Sequence, residues 1–165
     1  MWDEKESMTE RHGELLAFWE GYLATLPPGA PRPALPEAWY FCDSRACADE
    51  LGALVVAGIK TATAGLFWSY EAEEEPLPQA RQPSIVTDWE GRPLCVIETT
   101  EVQVLPFDEV GAQHAYEEGE GDRSLAYWRE VHWRFFGREC AALGRTPSAD
   151  MPVVCERFRL VHAAG

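Results

Sequence analysis

The sequence has few basic residues for its length. Its 14 Lys and Arg face 28 Asp and Glu, which gives a formal net charge of −14 at pH 7. Binding to a nucleic-acid backbone grows with the number of phosphates that Lys and Arg neutralise. The charge balance therefore disfavours long duplex nucleic acid and an anionic membrane as partners, while a local basic pocket remains compatible with it.

The sequence also lacks a CxxC pair, a paired histidine spacing and an apolar run close to 18 residues. Cys42 and Cys47 lie five positions apart, which does not match the ligand spacings of zinc sites. The residues after Met1 are charged and polar, unlike a signal peptide. Together with the odd number of cysteines, these absences predict a cytoplasmic protein with reduced thiols and with no metal or other cofactor.

The length and composition of the chain favour one folded domain with a hydrophobic core. The 165 residues are 46% hydrophobic and 12% aromatic, and seven of them are Trp. Apolar residues between Glu10 and Leu26 follow a helical spacing, and the proline-rich stretch 27–36 predicts an extended connector. We expect residues 1–38 to form a helix and connector packed on the core, and residues 39–165 to form the main domain.

The segment Gly58-Ile59-Lys60-Thr61-Ala62-Thr63 lies between a predicted helix over residues 44–57 and a predicted strand over residues 61–68. Gly58 suits the left-handed position that follows a helix end. Lys60 therefore stands where the chain turns. Because successive strand residues face opposite sides, Lys60 and Thr63 can converge only if the chain bends between them.

The rest of the chain predicts further short strands and two more helices. Glu98 lies in a predicted strand over residues 94–104 and is a candidate charged residue on a partly buried sheet. An aromatic cluster, Trp39-Tyr40-Phe41, precedes the helix at Ser44. The other predicted elements are a strand at 84–87, a short helix from Pro106, a long helix over 123–143 and a strand over 151–160.

These pieces, in this order, resemble the ASCH family, which is related to the PUA fold. The resemblance implies an α+β fold, a small, mostly antiparallel β-barrel with helices around it. It also implies work on RNA or nucleosides at a cleft beside the barrel. The matching segments are Gly58–Thr63, Ile85-Val86-Thr87-Asp88, Ile97-Glu98-Thr99-Thr100, Pro106-Phe107, Glu118-Gly119-Glu120-Gly121-Asp122, Ser124-Leu125, Tyr127-Trp128-Arg129 and Val154-Cys155-Glu156-Arg157-Phe158.

Some ASCH proteins are amidohydrolases that remove acyl groups from N4-acylated cytidine, and others are linked to RNA binding or RNA cleavage. The amidohydrolase pattern is Lys-x-x-Thr-x-Arg with a later Glu in a His-Ala-x-x-Glu segment. Lys60, Thr63 and Glu118 match its Lys, Thr and Glu, so the resemblance implies that these three residues are catalytic. Gly65 occupies the Arg position, where the pattern would contact an anion.

Amide hydrolysis sets conditions on these residues. A threonine hydroxyl needs an adjacent base, and a lysine acts as a base only when desolvation keeps it neutral. Glu118 can orient Lys60, move a proton or bind the leaving amine, and close pairing with Lys60 would weaken its role as a base. We expect the lysine stem to be solvated or half-buried, so that Lys60→Met barely changes stability. The substrate-binding candidates are Trp39, Tyr40, Trp68, Glu98 and Arg157.

Two functions remain open at this point. The first is an amidohydrolase acting on an N-acylated nucleoside such as N4-acetylcytidine, whose base would stack on Trp or Tyr. The second is a module that binds RNA or a nucleotide without catalysis, which needs exposed aromatic side chains and a nearby Arg such as Arg157. A ribonuclease with Lys60 as electrostatic stabiliser is a weaker third. Either main function predicts a cleft formed by the Lys60 turn, the Glu118 loop and the aromatic cluster Trp39–Phe41.

Overall fold

A computed structural model describes residues 2–165 and has an α+β fold with a five-stranded mixed sheet, which confirms the predicted class. Across these residues no helix combines the length and apolar character that crossing a bilayer requires. The helices are α1 Trp2–Leu23, α2 Arg45–Val56, α3 Phe67–Ala72, α4 Ala112–Glu118 and α5 Leu125–Ala142, and the strands are β1 Ala38–Trp39, β2 Ala62–Leu66, β3 Pro83–Thr87, β4 Pro93–Pro106 and β5 Pro152–Ala163.

The strand order in the sheet is β1-β3-β4-β5-β2. Strands β1 and β3 pair in parallel, whereas β3 with β4 and β2 with β5 pair antiparallel. The order starts at β1 and ends at β2, so within residues 2–165 the sheet has two edges and is not closed into a barrel. The predicted barrel is therefore not confirmed, although the antiparallel pairing predominates.

The chain divides into two compact units. The first contains residues up to Val56, Pro83–Glu98 and Leu160–Gly165. In this unit the buried Trp19 of α1 packs with Ile85 of β3 and Val96 of β4. The Trp19 indole Nε1 also donates a hydrogen bond to the Pro33 carbonyl oxygen at 3.1 Å, which ties the proline-rich connector to α1.

The second unit contains Ala57–Gln82 and Thr99–Arg159. Its core lies between buried side chains of α5 and one face of β2 and β5. Helix α5 begins at a Ser124 cap, whose hydroxyl oxygen accepts a hydrogen bond from the Tyr127 amide. The buried residues of this core are Leu66, Phe107, Val110, Ala115, Trp128, Phe136, Cys140, Met151, Val153 and Cys155.

The strand predicted over residues 61–68 is shorter in the structure. It ends at Leu66, and Phe67 and Trp68 begin α3. Aromatic residues are enriched in strands, but this preference is weak and local packing overrides it. Here the buried Leu66 and the partly buried Trp68 both pack on the core of the second unit, and a helical turn after Leu66 directs both side chains there.

The prediction that all thiols are reduced was wrong for one pair. Cys42 and Cys47 form a disulfide, with Cα atoms 5.9 Å apart, a separation typical of disulfides. Cys42 has a φ of 66° and precedes α2, so the chain reverses there and Cys47 in the first helical turn faces it. The other three cysteines, Cys95, Cys140 and Cys155, are free and buried.

Candidate active site

The backbone around Lys60 is held against the C-terminal end of α4. The Thr61 amide donates a hydrogen bond to the Glu117 carbonyl oxygen at 2.8 Å. Gly119, the residue that follows α4, has a φ of 72°, and a Cβ there would lie 2.7 Å from the Ile59 carbonyl oxygen. Only glycine combines this backbone conformation with so close an approach. The contact brings the Lys60 segment beside Glu118.

The Lys60 side chain points into the protein and is only 1% exposed, as is Glu118. Its Nζ lies 2.8 Å from Oε2 of Glu120 and 3.5 Å from Oε1 of Glu118. The expected solvated or half-buried stem was therefore wrong, because the contact between α4 and the Ile59 carbonyl encloses the residue. A buried charge is tolerated only when it is paired, and these two carboxylates supply the pairing.

Glu118 is the centre of a polar cluster in this interior. Its Oε2 accepts a hydrogen bond from the indole Nε1 of Trp128 and lies 3.0 Å from Nε2 of His114, while its Oε1 lies 3.5 Å from Nε2 of His132. Burial alone would raise the pKa of Glu118, but Lys60 and His132 hold this pKa well below its usual value. Glu118 is therefore an ionised carboxylate.

His132 connects this carboxylate to helix α5. Its Nδ1 donates a hydrogen bond to the Trp128 carbonyl oxygen at 2.9 Å, since a carbonyl can only accept, and its ring stacks on the Trp128 ring with centroids 4.2 Å apart. Burial alone would lower the pKa of His132, but the charges on Glu118 and Glu120 outweigh burial and raise it. Nε2 therefore faces Glu118 as part of a ring that is readily protonated.

Thr63 lies on β2, directly opposite Glu156 of β5. Opposite residues of an antiparallel pair share one face of the sheet, so the half-buried hydroxyl lies beside a buried carboxyl group. Oε1 of Glu156 accepts a hydrogen bond from the Thr99 hydroxyl at 2.6 Å. Burial raises the pKa of Glu156 although Thr99 and the charge of Lys60 lower it. The structure thus adds Glu156 to the surroundings of Lys60 and Thr63.

The family of the chain follows from its match to known proteins. The ASCH domain model matches residues 37–162, most of the chain. The chain belongs to the ASCH domain family. Among solved structures, it is similar to an ASCH domain from Lactobacillus crispatus JV V101, with 35% identity, a TM-score of 0.85 and coverage of 91% of this chain and 95% of that one.

A second similar structure is a protein from Enterococcus faecalis V583. It has 36% identity to this ASCH domain and a TM-score of 0.81, and the alignment covers 92% of this chain and 90% of the other. No curated protein matches the sequence significantly.

Two predicted binding residues of this ASCH domain contact charged side chains outside the Lys60 cluster. The centroid of the Trp68 ring lies 4.5 Å from Cζ of Arg145, whose guanidinium covers the ring. Arg157 donates from Nε to Oε2 of Glu117 at 2.5 Å and from Nη1 to Oε2 of Glu101 at 3.3 Å. These two ion pairs hold the guanidinium at Glu117 and Glu101.

The remaining predicted binding residues lie in the first unit. Trp39 belongs to β1 and its ring meets the Phe41 ring edge-on at 4.9 Å. Tyr40 is exposed and packs on the Trp89 ring, also at 4.9 Å. Glu98 is half-buried on β4, opposite Pro83. Their participation in a cleft with Lys60 remains a prediction.

Four members of the cluster were not predicted from the sequence: His114, Glu120, Trp128 and His132. Trp128 and His132 are four residues apart on one face of α5. Ligand atoms of Glu118, Glu120 and His132 lie within 4.8 Å of one another, so this set could hold a metal ion. The Lys60 ammonium contacts both carboxylates, however, and already supplies a positive charge there.

The raised pKa of His132 predicts a pH dependence of stability. The contribution of His132 to the free energy of unfolding is complete below its unfolded pKa of about 6.5 and is lost as the pH rises through its higher folded pKa. The low pKa of Glu118 acts in the other direction. The contribution of Glu118 to the free energy of unfolding is complete above about pH 4.5 and is lost in acid. We expect His132→Gln to flatten the decline in the free energy of unfolding above pH 6.5, measured by urea titration at each pH.

The exposed His12 on α1 offers a matched control, since His12→Gln removes an imidazole that is in contact with water. This control should keep the wild-type slope above pH 6.5. An unchanged slope in His132→Gln would show that His132 does not couple to the charges of Glu118 and Glu120.

Proposed function

We propose that this ASCH domain is an amidohydrolase-type enzyme that acts on an N-acylated nucleoside such as N4-acetylcytidine. The observation that carries the proposal is the buried ammonium of Lys60 between the carboxylates of Glu118 and Glu120. The pKa of Glu118 is held well below its usual value, and buried groups with shifted pKa values concentrate at functional sites. Lys60 and Glu118 are also two of the residues that match the amidohydrolase pattern.

In this reaction a water oxygen adds to the acyl carbon, the carbonyl oxygen becomes an oxyanion, and the C–N bond breaks as the amine takes a proton. The products are a carboxylic acid and the free nucleoside. The Lys60 nitrogen is paired with the carboxylates of Glu118 and Glu120, and its proposed role is to stabilise the oxyanion by its charge. Glu118, with its low pKa, suits the positioning of Lys60 and His132.

A proton acceptor works best when its pKa lies near the working pH. Among the carboxyl groups beside Lys60, Glu156 has a pKa that burial raises, and it lies opposite Thr63. Glu156 therefore suits the role of taking a proton from the attacking group, either a water molecule or the Thr63 hydroxyl. Attack by Thr63 would form an acyl ester and release the nucleoside, and a water molecule would then hydrolyse this ester to the carboxylic acid. The Thr99 hydroxyl holds one oxygen of Glu156 in place.

The charge of the chain limits the substrate to a small molecule or a short single strand. With a formal net charge of −14, a neutral nucleoside approaches without electrostatic cost, whereas long duplex nucleic acid is repelled. The proposed partners are therefore a nucleoside-like substrate or a short single-stranded RNA, and neither a membrane nor a long duplex.

The test is a panel of N4-acylated cytidines, with release of cytidine followed by chromatography, beside a titration with a short single-stranded RNA. We expect cytidine and the carboxylic acid to appear in equal amounts. Thr63→Val separates the two attacking groups, because its loss of activity is large only if the hydroxyl attacks. Binding of cytidine or RNA with no acyl release would support a binding module, and cleavage of the RNA would support a ribonuclease.

A further inference from the structure

The members of the Lys60 cluster differ in how far they reach towards solvent. The side chains of Lys60 and Glu118 are 1% and 2% exposed, whereas that of Glu120 is 17% exposed. Oε2 of Glu120 lies 2.8 Å from Nζ of Lys60, closer than the 3.5 Å between Nζ and Oε1 of Glu118. Glu120 is therefore the carboxylate that both covers the Lys60 nitrogen and extends to water.

Glu120 occupies the position that the proposed function requires for the substrate. A group that stabilises an oxyanion lies about 2.7–3.1 Å from the reacting oxygen. Oε2 of Glu120 already lies at such a distance from Nζ, and the Lys60 side chain is almost completely buried. The carbonyl oxygen of an acylated nucleoside therefore reaches Nζ only after a side chain beside it moves away.

Glu118 is unsuited to this movement. Its two oxygens lie beside the indole of Trp128 and the imidazoles of His114 and His132 as well as Lys60. Moving this carboxylate into water would leave several buried nitrogens without the acceptor that they share, and an unsatisfied buried donor is costly.

The Glu120 side chain has fewer contacts to lose. Among residues 2–165 its carboxylate accepts a hydrogen bond from Lys60 alone. Because the side chain is already partly exposed, water can solvate its oxygens once it turns outward. Rotation of one side chain is also a faster movement than the displacement of a loop.

The backbone around Glu120 is held in place, so its side chain can turn while the loop stays where it is. Gly121 has a φ of 59°, and a Cβ there would collide with the Tyr127 ring. The Arg123 amide donates a hydrogen bond to the Glu120 carbonyl oxygen at 3.0 Å. The Arg123 guanidinium donates from Nε to the Tyr116 carbonyl oxygen, also at 3.0 Å.

We propose that Glu120 is the gate of the Lys60 site. In the free protein its carboxylate covers Nζ, and when the acylated nucleoside binds it turns to water while the carbonyl oxygen of the substrate takes its place. The identity of the incoming oxygen rests on the proposed function, whereas the opening of Glu120 is a property of the free protein. No covalent bond changes in this exchange, because one hydrogen-bond acceptor replaces another at Nζ.

The opening is tested by acetylation of Lys60 with acetic anhydride, quantified by mass spectrometry relative to the exposed Lys5. Glu120→Gln removes the charge, and Glu120→Asp keeps the charge on a side chain that is one methylene shorter. We expect Lys60 to be labelled about tenfold faster or more in both variants than in the wild type, because the open fraction sets the rate of a reaction that requires opening.

Asp122→Asn is the matched control for charge. It removes one charge from an exposed residue of the same loop, and Asn can still accept the hydrogen bond from the Ser124 amide. It should label Lys60 at the wild-type rate. Val153→Ala, which creates a cavity in the core of the second unit, is the control for lower stability.

Urea separates the two kinds of opening. Labelling through the turning of one side chain does not change at low urea concentrations, whereas labelling through unfolding of the unit increases with urea. The gate is wrong if neither Glu120 variant labels faster, or if the faster labelling rises with urea as it does in Val153→Ala. Faster labelling in Glu120→Gln alone would report a change of charge and would also overturn the gate.

The gate also makes a specific demand on the kinetics of hydrolysis. Glu120 is displaced both in the complex with substrate and in the transition state, so the cost of displacing it weakens the binding of the two equally. A uniform cost of this kind raises KM and leaves kcat unchanged. Glu120→Gln should therefore lower KM about tenfold and keep kcat within about threefold of the wild type.

A large loss of kcat in Glu120→Gln would instead mean that Glu120 takes part in the chemical step, which contradicts a gate. The labelling experiment needs no substrate, so the two proposals can fail separately. Open labelling with no hydrolysis of any acylated nucleoside would leave the gate and refute the proposed function. Hydrolysis with unchanged labelling would leave the proposed function and refute the gate.

Discussion

Lys60→Met is expected to lower the hydrolysis of the best acylated nucleoside at least about a hundredfold, because in the proposed reaction the charge of Lys60 stabilises the oxyanion. Lys60→Arg keeps a positive charge but never acts as a base. If the charge of Lys60 is what matters, Lys60→Arg should retain part of the activity that Lys60→Met loses. The measurement is kcat and KM for cytidine release.

The chain has two lysines, and the other one, Lys5, is exposed on α1. Lys5→Met is therefore the matched control and should have wild-type rates. Because Lys60→Met alters a buried residue, the rates are compared at a temperature at which each variant is shown by circular dichroism to be folded. Wild-type rates in both Lys60 variants, on a substrate that the protein clearly hydrolyses, would show that Lys60 is structural.

Lys60→Met is also expected to lower the free energy of unfolding by about 3–5 kcal/mol, the range for removing one partner of a buried ion pair. The substitution leaves Glu118 buried and ionised with Glu120 nearby and no ammonium between them. In a chain of this size, each kcal/mol corresponds to roughly 2–4 °C in Tm, so the loss should exceed about 6 °C.

Combining Lys60→Met with Glu118→Gln tests this explanation. The double variant removes both charges, and the amide oxygen of Gln can still accept the hydrogen bond from the Trp128 indole. We expect it to be more stable than Lys60→Met alone, which is non-additivity of the kind a double-mutant cycle measures. Equal or greater destabilisation of the double variant would mean that packing of the lysine stem, not charge, determines the stability of this region.

The sequence contained enough information to bring Lys60 and Glu118 together, because both belong to ordered segments of the resemblance. It did not indicate that the lysine is buried. That depends on the close approach of Gly119 to the Ile59 carbonyl, a contact between segments 60 residues apart in the chain. Burial of this kind changes the expected effect of a substitution from negligible to large.

The polar groups on α5 show a second property that the sequence pattern did not predict. The helical spacing of Trp128 and His132 predicts that they share a face, and the structure confirms that both are buried. The spacing carries no information on where the indole Nε1 and the imidazole Nε2 point, because that depends on which carboxylate α4 places opposite them. The spacing alone therefore did not indicate that this face of α5 also holds Glu118.

Sequence patterns predicted best the long elements α5 and β4, in which the pattern continues over many residues. The end of β2 was assigned poorly because Phe67 and Trp68 have strand preferences, although both belong to α3 and Trp68 packs on the core of the second unit. The disulfide between Cys42 and Cys47 had no spacing signal, since it depends on the left-handed backbone of Cys42.

The burial of Lys60 has a practical consequence for chemical labelling. Amine-reactive reagents attack an accessible amine, and the Lys60 nitrogen belongs to a side chain that is only 1% exposed and is held by two carboxylates. Of the two lysines, only Lys5 should therefore react while the protein is folded. Acetylation of Lys60, followed by mass spectrometry, would then report the opening of the second unit, and dyes or cross-linkers attached through lysine would mark α1.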